Sequence, residues 1–450
     1  MKLLTLTSSA FRLILKAIFP LLVTLTFLTS PILAQQQVMM QEKKEIIYPV
    51  NSSNIHSTTD LLPLKPIFQD KEVIAMGEAT HGTKEFFELK SKMFRYLVEE
   101  HNVKVFGIEA SYAGCLYVND YVQEGKGNLD TVMRKLGFWP WQTEEVKQLL
   151  LWMRAYNQNK AETEKVSFYG FDMQSFNPPL DYLYNYILIN HSAEAPSFLQ
   201  LIAPVYNRQG EIYKAFFSQG RKRALDTMEM VYSNVVRWFD QKEATYKLAT
   251  SPKKHQQVRL CLQNLRESVL HDKIEGSQYA FRDSCMAGMV RQIKALENAK
   301  IFLWGHNGHI TKHLAMGTHL KDWLGEKFYN IGFVFHQGTF HALQAQRSLA
   351  SKLFSRFVLR RRFIKPTLKE CSVSSSPQGS IASTFSQLNQ PAFFIDLTNA
   401  QNKLFTSWQV AYSIGAMFMN RNNSLHGFIP VQHYDGILFV NSTKPTQLLL

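Results

Sequence analysis

Along most of the chain, apolar residues come in short unbroken runs separated by longer stretches of helical spacing. "EVIAM" at 72–76 is the first such run. After the turn "GEATHG", Phe86, Leu89, Met93 and Leu97 recur at helical spacing, with Phe94 and Val98 beside them. Thr83 stands where an N-cap would, and Glu85 falls in the first turn, where the helix dipole favours negative charge. Further runs are "VKVFGI" (103–108), "KVSFYGF" (165–171), "KIFLW" (300–304), "YNIGFVF" (329–335), "AFFIDL" (392–397) and "GILFV" (436–440). Near-continuous hydrophobicity over about five residues suits strands covered on both faces. The pattern predicts an α/β fold with a largely parallel sheet core.

Two intervals, about 110–164 and 175–298, contain no such run. "EEVKQLLLWMRAYNQ" and "GEIYKAFFSQGRKRALDTMEMVYSNVVRWFDQ" are helical in pattern, so the sheet carries extensive helical insertions. "CSVSSSPQGS" at 371–380 predicts a loop.

The amino terminus changes the cellular picture. Lys2, Arg12 and Lys16 precede "AIFPLLVTLTFLTSPILA", which ends at Ala34. A basic region, an apolar region and a small residue at the end predict a signal peptide over 1–34. Pro20 and Pro31 within so short a run argue against a retained anchor. A polar lead-in over 35–70 and one folded domain over 71–450 would follow, working in the periplasm or outside the cell.

Charge adds little to this. The formal +14 comes partly from the leader and from "SRFVLRRRFIKP" at 355–366, within a basic segment 352–365. No nucleic-acid-binding module accompanies it, so a solvated basic face is the reading and nucleic acid is not a partner. Cys115, Cys261, Cys285 and Cys371 lack any CxxC pair, which excludes ribbon-type zinc and thioredoxin-type chemistry. Buried free thiols are expected.

Chemistry gathers after the predicted strands. Glu78 and His81 follow the first, Glu109 the second, Asp172 the third, and His306, Asn307 and His309 the fourth in "GHNGHI". In parallel sheets ligands bind beyond the carboxyl ends of the strands, so these groups would share one edge. The small residues Gly77, Ala79 and Gly82 let a substrate approach the Glu78–His81 turn. A carboxylate beside an imidazole fixes its tautomer and raises its basicity, as a general base needs. Glu78–His81 also spells E-x-x-H, but on a glycine-flanked turn and not on the paired helices of a diiron site. Neither H-E-x-x-H nor G-x-S-x-G occurs. Three readings stay open. One is water activated by histidine, with Arg282 of "YAFRDSCMAGMV" stabilising an oxyanion. Another is a metallohydrolase using Glu78, His81, Glu109 and a later histidine. The third is a binder of a haem-like ligand with an axial histidine.

The segments "GEATHGTKEFF", "GIEA", "WQTEEVKQLLLWMRAYN", "YGFDMQ", "FRDSCMAGMV", "WGHNGHI" and the late "YDGILFV" together resemble the erythromycin esterase family, from about residue 70 onward. The resemblance implies an α/β core with helical additions, over 71–450. It also implies hydrolysis of a carboxylic ester, macrolactone ring opening in that family, with no metal or other cofactor. The partner implied is a small-molecule ester, macrolide or related. On the matching positions His81 resembles the general base, and Glu78 and Glu109 its acidic partners. Arg282, His306 and His309 resemble the polar groups around the reacting carbonyl. Lys90 stands where some macrolide-hydrolysing members resemble an arginine. With Asp172 and Asn307 it is a candidate for substrate binding. The exported leader departs from resistance enzymes that meet the drug in the cytoplasm.

Overall fold

In the computed structural model, which describes residues 47–216, 219–344 and 366–449, every predicted apolar run lies in one nine-stranded sheet. Its strands are β1 (Ile47–Pro49), β2 (Val73–Met76), β3 (Val103–Ser111), β4 (Ser167–Asp172), β5 (Lys300–Trp304), β6 (Phe328–Gln344), β7 (Thr367–Val373), β8 (Ala392–Asp396) and, after the separate β9–β10 hairpin (Gln409–Tyr412 and Leu425–Phe428), β11 (Gly436–Thr443). The order is β1-β8-β11-β6-β2-β5-β3-β4, with β7 on the end of β6. From β11 to β4 all neighbours are parallel. β8 pairs antiparallel with β11, β1 with β8, and β7 with β6.

The unbroken apolar runs have a direct cause. Val73 and Ala75 of β2 enter one hydrophobic core while Ile74 and Met76 enter the other. Ile301 and Leu303 of β5 divide from Phe302 and Trp304 in the same way. A strand buried on both faces has no polar side, so period-two alternation disappears.

The connections leaving β2 and β5 take opposite faces. The helix Lys84–His101 after β2 buries Phe86, Met93 and Leu97 in the core that holds Met76. Met316 and Leu320 of the helix Met316–Leu324, after β5, enter the other core. Adjacent parallel strands whose connections diverge leave a crevice beyond their carboxyl ends. Between β3 and β4, and between β4 and β5, lie the helical insertions, including Tyr112–Glu124, Pro252–Lys273 and Tyr279–Glu297.

Some expectations are revised. Thr83 does hold the N-cap position, but its hydroxyl pairs with Thr80 Oγ1 at 2.6 Å and caps nothing. The predicted loop at 371–380 begins only after Val373, because Cys371–Val373 pair with Gly338–Phe340 as the end of β7. The folded domain starts before residue 71: β1 extends the sheet edge, and Leu61, Leu64 and Phe68 are buried. The leader over 1–34 and the basic segment 352–365 lie outside the described residues. Among the described residues no helix is long and apolar enough to cross a membrane. All four cysteines are free thiols, and Cys115, Cys261 and Cys371 are buried.

Asn330 of β6 ties this edge together. Its amide donates to the carbonyls of Ile310 (2.7 Å) and His433 (2.9 Å), and its carbonyl accepts from Asp435 N–H (2.9 Å). Asn330→Ala strands three buried backbone groups. It is expected to lower the unfolding free energy in a urea titration by about 3 kcal/mol. A change below about 1 kcal/mol would mean that water replaces the amide.

Candidate active site

At the end of β2 the chain turns through Gly77–Thr83, and Glu78 is wholly buried there. One carboxylate oxygen, Oε1, faces His81 Nδ1 at 2.5 Å. The other accepts from Trp304 Nε1 at 2.9 Å and from the Lys90 ammonium. Lys90 is itself fully buried, with its Nζ 4.4 Å from the centre of the Trp304 ring. Asn307 holds the neighbouring loop in place. Its amide exchanges two hydrogen bonds with the Phe333 backbone (2.8 and 3.0 Å), and its N–H donates to Glu78 O at 2.9 Å. A Cβ on residue 77 would stand 2.1 Å from Asn307 Oδ1, so this approach requires Gly77.

The ends of β3, β4 and β5 supply a second cluster. Arg282, on the helix Tyr279–Glu297, donates to Asp172 through Nε (3.0 Å) and Nη2 (2.8 Å), and to Glu109 through Nη2 (2.7 Å). Its Nη1 lies 2.8 Å from His309 Nε2, and His309 Nδ1 lies 2.6 Å from Asp283 Oδ1. The other Glu109 oxygen accepts from His306 N–H at 2.8 Å. Burial alone would raise the Glu109 pKa, but His309, Arg282 and His81 outweigh it and hold the carboxyl well below its usual range. Burial disfavours charge on His309, yet Glu109 and the bond to Asp283 prevail and raise its pKa. The guanidinium contact nevertheless demands a lone pair at Nε2. We therefore assign His309 as the neutral Nδ1–H tautomer, since two N–H groups cannot face each other at 2.8 Å.

The rings of His81 and His306 are 5.1 Å apart, centre to centre. Glu78 takes the Nδ1–H of His81, so His81 Nε2 presents a lone pair. His306 is the converse. Its Nδ1 accepts from Gly308 N–H at 3.1 Å, and burial together with His81 pushes its pKa well below the ordinary value. A neutral His306 therefore carries its proton on Nε2, a buried atom with no hydrogen-bond partner. The Gly415 carbonyl accepts from His81 N–H at 3.3 Å, and a Cβ at Gly415 would stand 3.9 Å from His306 Nε2.

Of the residues singled out in the sequence, Glu78, His81, Glu109, Arg282, His306 and His309 converge on one sheet edge. The candidate substrate contacts lie elsewhere. Lys90 sits beneath Glu78, Asp172 is buried under Arg282, and Asn307 is spent on the β6 backbone. Sequence reasoning missed Trp304, Gly415 and the role of Asp283. Asp283 is the natural ion-pair partner to suspect for Arg282, but in the structure it orients His309. Trp304 did carry a signal, as the polar-tipped last residue of an apolar run directly before "GHNGHI". Among the described residues no group of three or more His, Cys, Asp or Glu is arranged to hold a metal ion.

A model of the erythromycin esterase family matches residues 98–443. The chain belongs to that family. The matched span takes in Glu109, Asp172, Arg282, His306 and His309, with the Glu78–His81 turn just before it. The chain is similar to YbfO of Bacillus subtilis (strain 168), at 23% identity over 89% of this chain and 90% of YbfO. It is also similar to the erythromycin esterase type II of Escherichia coli, at 26% identity over 63% of this chain and 74% of that protein. Two solved structures share the fold. A Bacillus cereus protein superposes with a TM-score of 0.72 at 20% identity, covering 92% of this chain and 99% of its own. A mutant of the erythromycin esterase EreC in its open conformation superposes with a TM-score of 0.59 at 17% identity, covering 88% and 96%. Membership of the family makes this protein a hydrolase of that type.

Within this family member, burial pushes the Lys90 pKa down to about 8 against the pull of Glu78. An unfolded lysine keeps its proton to about pH 10.4. Between these values the unfolded chain binds more protons, so this residue's contribution to stability rises with pH. The unfolding free energy of the wild type should therefore increase relative to Lys90→Met from pH 8 to pH 10. A difference that falls over this range would show a raised Lys90 pKa.

Proposed function

We propose that the protein hydrolyses carboxylic esters with water activated by His81, and that it does so after export directed by residues 1–34. The opposed tautomers of His81 and His306 carry the reading. A lone pair and an N–H on two imidazoles 5.1 Å apart suit a water and a carbonyl placed between them.

In this mechanism His81 Nε2 takes a proton from water as the water oxygen attacks the carbonyl carbon. The C=O π bond becomes the oxyanion lone pair, which receives the His306 Nε2–H. Glu78 stabilises the imidazolium that forms, as the acceptor of its Nδ1–H (2.5 Å). Collapse re-forms the carbonyl and breaks the bond to the alcohol oxygen. His81 returns its proton to that oxygen, giving one acid and one alcohol. Glu109, Arg282 and His309 hold the His306 loop in register through the Glu109 bond to His306 N–H (2.8 Å). Relatives named as erythromycin esterases support a macrolactone as one substrate.

The test is incubation with erythromycin and with 4-nitrophenyl acetate, followed by mass spectrometry and absorbance, with and without chelator. The wild type should add water to the ester and be indifferent to chelator. His81→Ala, still folded by circular dichroism, should lose about 10²–10⁴-fold in kcat/KM. Retained activity in that variant would remove His81 as the base. Loss to chelator with recovery on adding a divalent metal would favour a metallohydrolase.

A further inference from the structure

The helix Pro252–Lys273 buries polar residues on the face turned toward the sheet. Gln257 Nε2 donates to the Tyr169 hydroxyl at 3.0 Å, and Asn264 Nδ2 donates to Asp172 O at 3.0 Å. Seven helical residues advance about 10 Å, as do three strand residues from Tyr169 to Asp172. The helix thus runs beside β4 in the strand's own direction, and whatever follows Asn264 overhangs the carboxyl edge where the candidate active site lies. Ser268 and His271 continue the Asn264 face, with Glu267 and Asp272 on its two flanks. The Gln278 amide donates to His271 O at 3.0 Å, and Gln278 O accepts from Arg282 N–H at 3.0 Å, which brings this helix end within a turn of the arginine cluster.

These overhanging residues are as buried as the catalytic candidates: Glu267 is 7% exposed, Ser268 1%, His271 7% and Asp272 8%, beside 6% for Arg282 and Glu109. Unlike those candidates, they are not satisfied. Ser268 Oγ, His271 Nδ1 and Asp272 Oδ2 have no hydrogen-bond partner. Glu267 accepts from Gln263 Nε2 at 2.8 Å, and burial pushes its carboxyl up to about 7. Among the described residues neither Glu267 nor Asp272 has a lysine or arginine within 4.0 Å; Asp272 has only His271 Nδ1, at 3.6 Å from its Oδ1. Arg221 donates instead to the Asp272 backbone carbonyl at 3.0 Å. Buried polar atoms are normally paired, and stranding several on one helix end costs stability unless something completes them. The group that would complete an acceptor-rich set with two uncompensated carboxyls is a donor-rich cation.

We propose that Glu267, Ser268, His271 and Asp272 form a second part of the substrate cleft, which takes a protonated or quaternary amine carried on the ester. This rests on the ester-hydrolase reading for its substrate but not for its binding. The amine sits in the acceptor cluster and leaves the ester carbonyl to reach His81 and His306.

The decisive pair of probes is 4-nitrophenyl 6-(trimethylammonio)hexanoate, which cannot acylate itself, and the neutral 4-nitrophenyl heptanoate. The wild type should prefer the cationic ester by about tenfold in kcat/KM, a difference of about 1.4 kcal/mol. In Glu267→Gln and Asp272→Asn the two esters should converge to within about twofold, with hydrolysis of the neutral ester unchanged. An equal loss on both esters would assign the cluster a structural role and overturn the proposal, as would a wild type without preference. If neither ester is hydrolysed, the ester reading fails and equilibrium binding decides the inference. Hexyltrimethylammonium should then bind the wild type about tenfold more tightly than Asp272→Asn. Equal binding would mean that only water fills the cluster.

Discussion

The arrangement depends on one buried guanidinium. Arg282 reaches Asp172 at the end of β4, Glu109 in β3 and His309 after β5, so its three contacts span the carboxyl ends of adjacent strands. Removing a charge from water costs several kcal/mol unless hydrogen bonds and opposite charges replace the solvent. Here two carboxylates and an imidazole do so, and each is itself completed elsewhere: Asp172 by the Met173 N–H, Glu109 by the His306 N–H and His309 by Asp283. A network of this kind fixes geometry more than it adds stability, because deleting any member strands a charge. Rigid placement of the His306 loop is what an oxyanion donor requires.

The Glu78 side of the site solves a similar problem with a different cation. A fully buried lysine is costly in its charged form, which is why Lys90 is drawn down to about 8 even with a carboxylate against it. The indole N–H of Trp304 shares the same oxygen and leaves the other free for His81. The carboxylate is thus divided: one oxygen is neutralised from below and one is aimed at the imidazole. Were both oxygens offered to the cleft, the tautomer of His81 would be unspecified.

The parallel core and its polar edge were legible because β2 and β5 are buried on both faces, which writes unbroken apolar runs such as "KIFLW" into the sequence. Residues placed directly after such runs could be assigned to one edge without knowing the strand order. The function of each side chain at that edge was less legible. Lys90 lies twelve positions beyond Glu78 on a helix whose apolar face was obvious, but nothing in the spacing says that a lysine on that helix turns inward under a carboxylate. Asn307 and Asp172 have the same residue types as substrate contacts, and only the partners at Phe333 and Arg282 give them away. Short elements left no trace. The four-residue strands of the β9–β10 hairpin bring Gly415 beside His306 from more than a hundred positions away, a long-range contact that no local pattern encodes.

The division of labour between sheet and insertions follows from this. The reacting groups hang from strand ends, where the backbone ladder holds them to within a register step. The cleft wall above them comes from helices that the ladder does not constrain. Pro252–Lys273 is fixed to β4 through Gln257 and Asn264, and beyond Asn264 it has no strand left to follow. The polar atoms without partners occur at that overhang, where the helix leaves the sheet and the two cores stop. A change of side chain there leaves the Arg282 network untouched, so substrate preference can vary in this fold without disturbing the groups that would carry out hydrolysis.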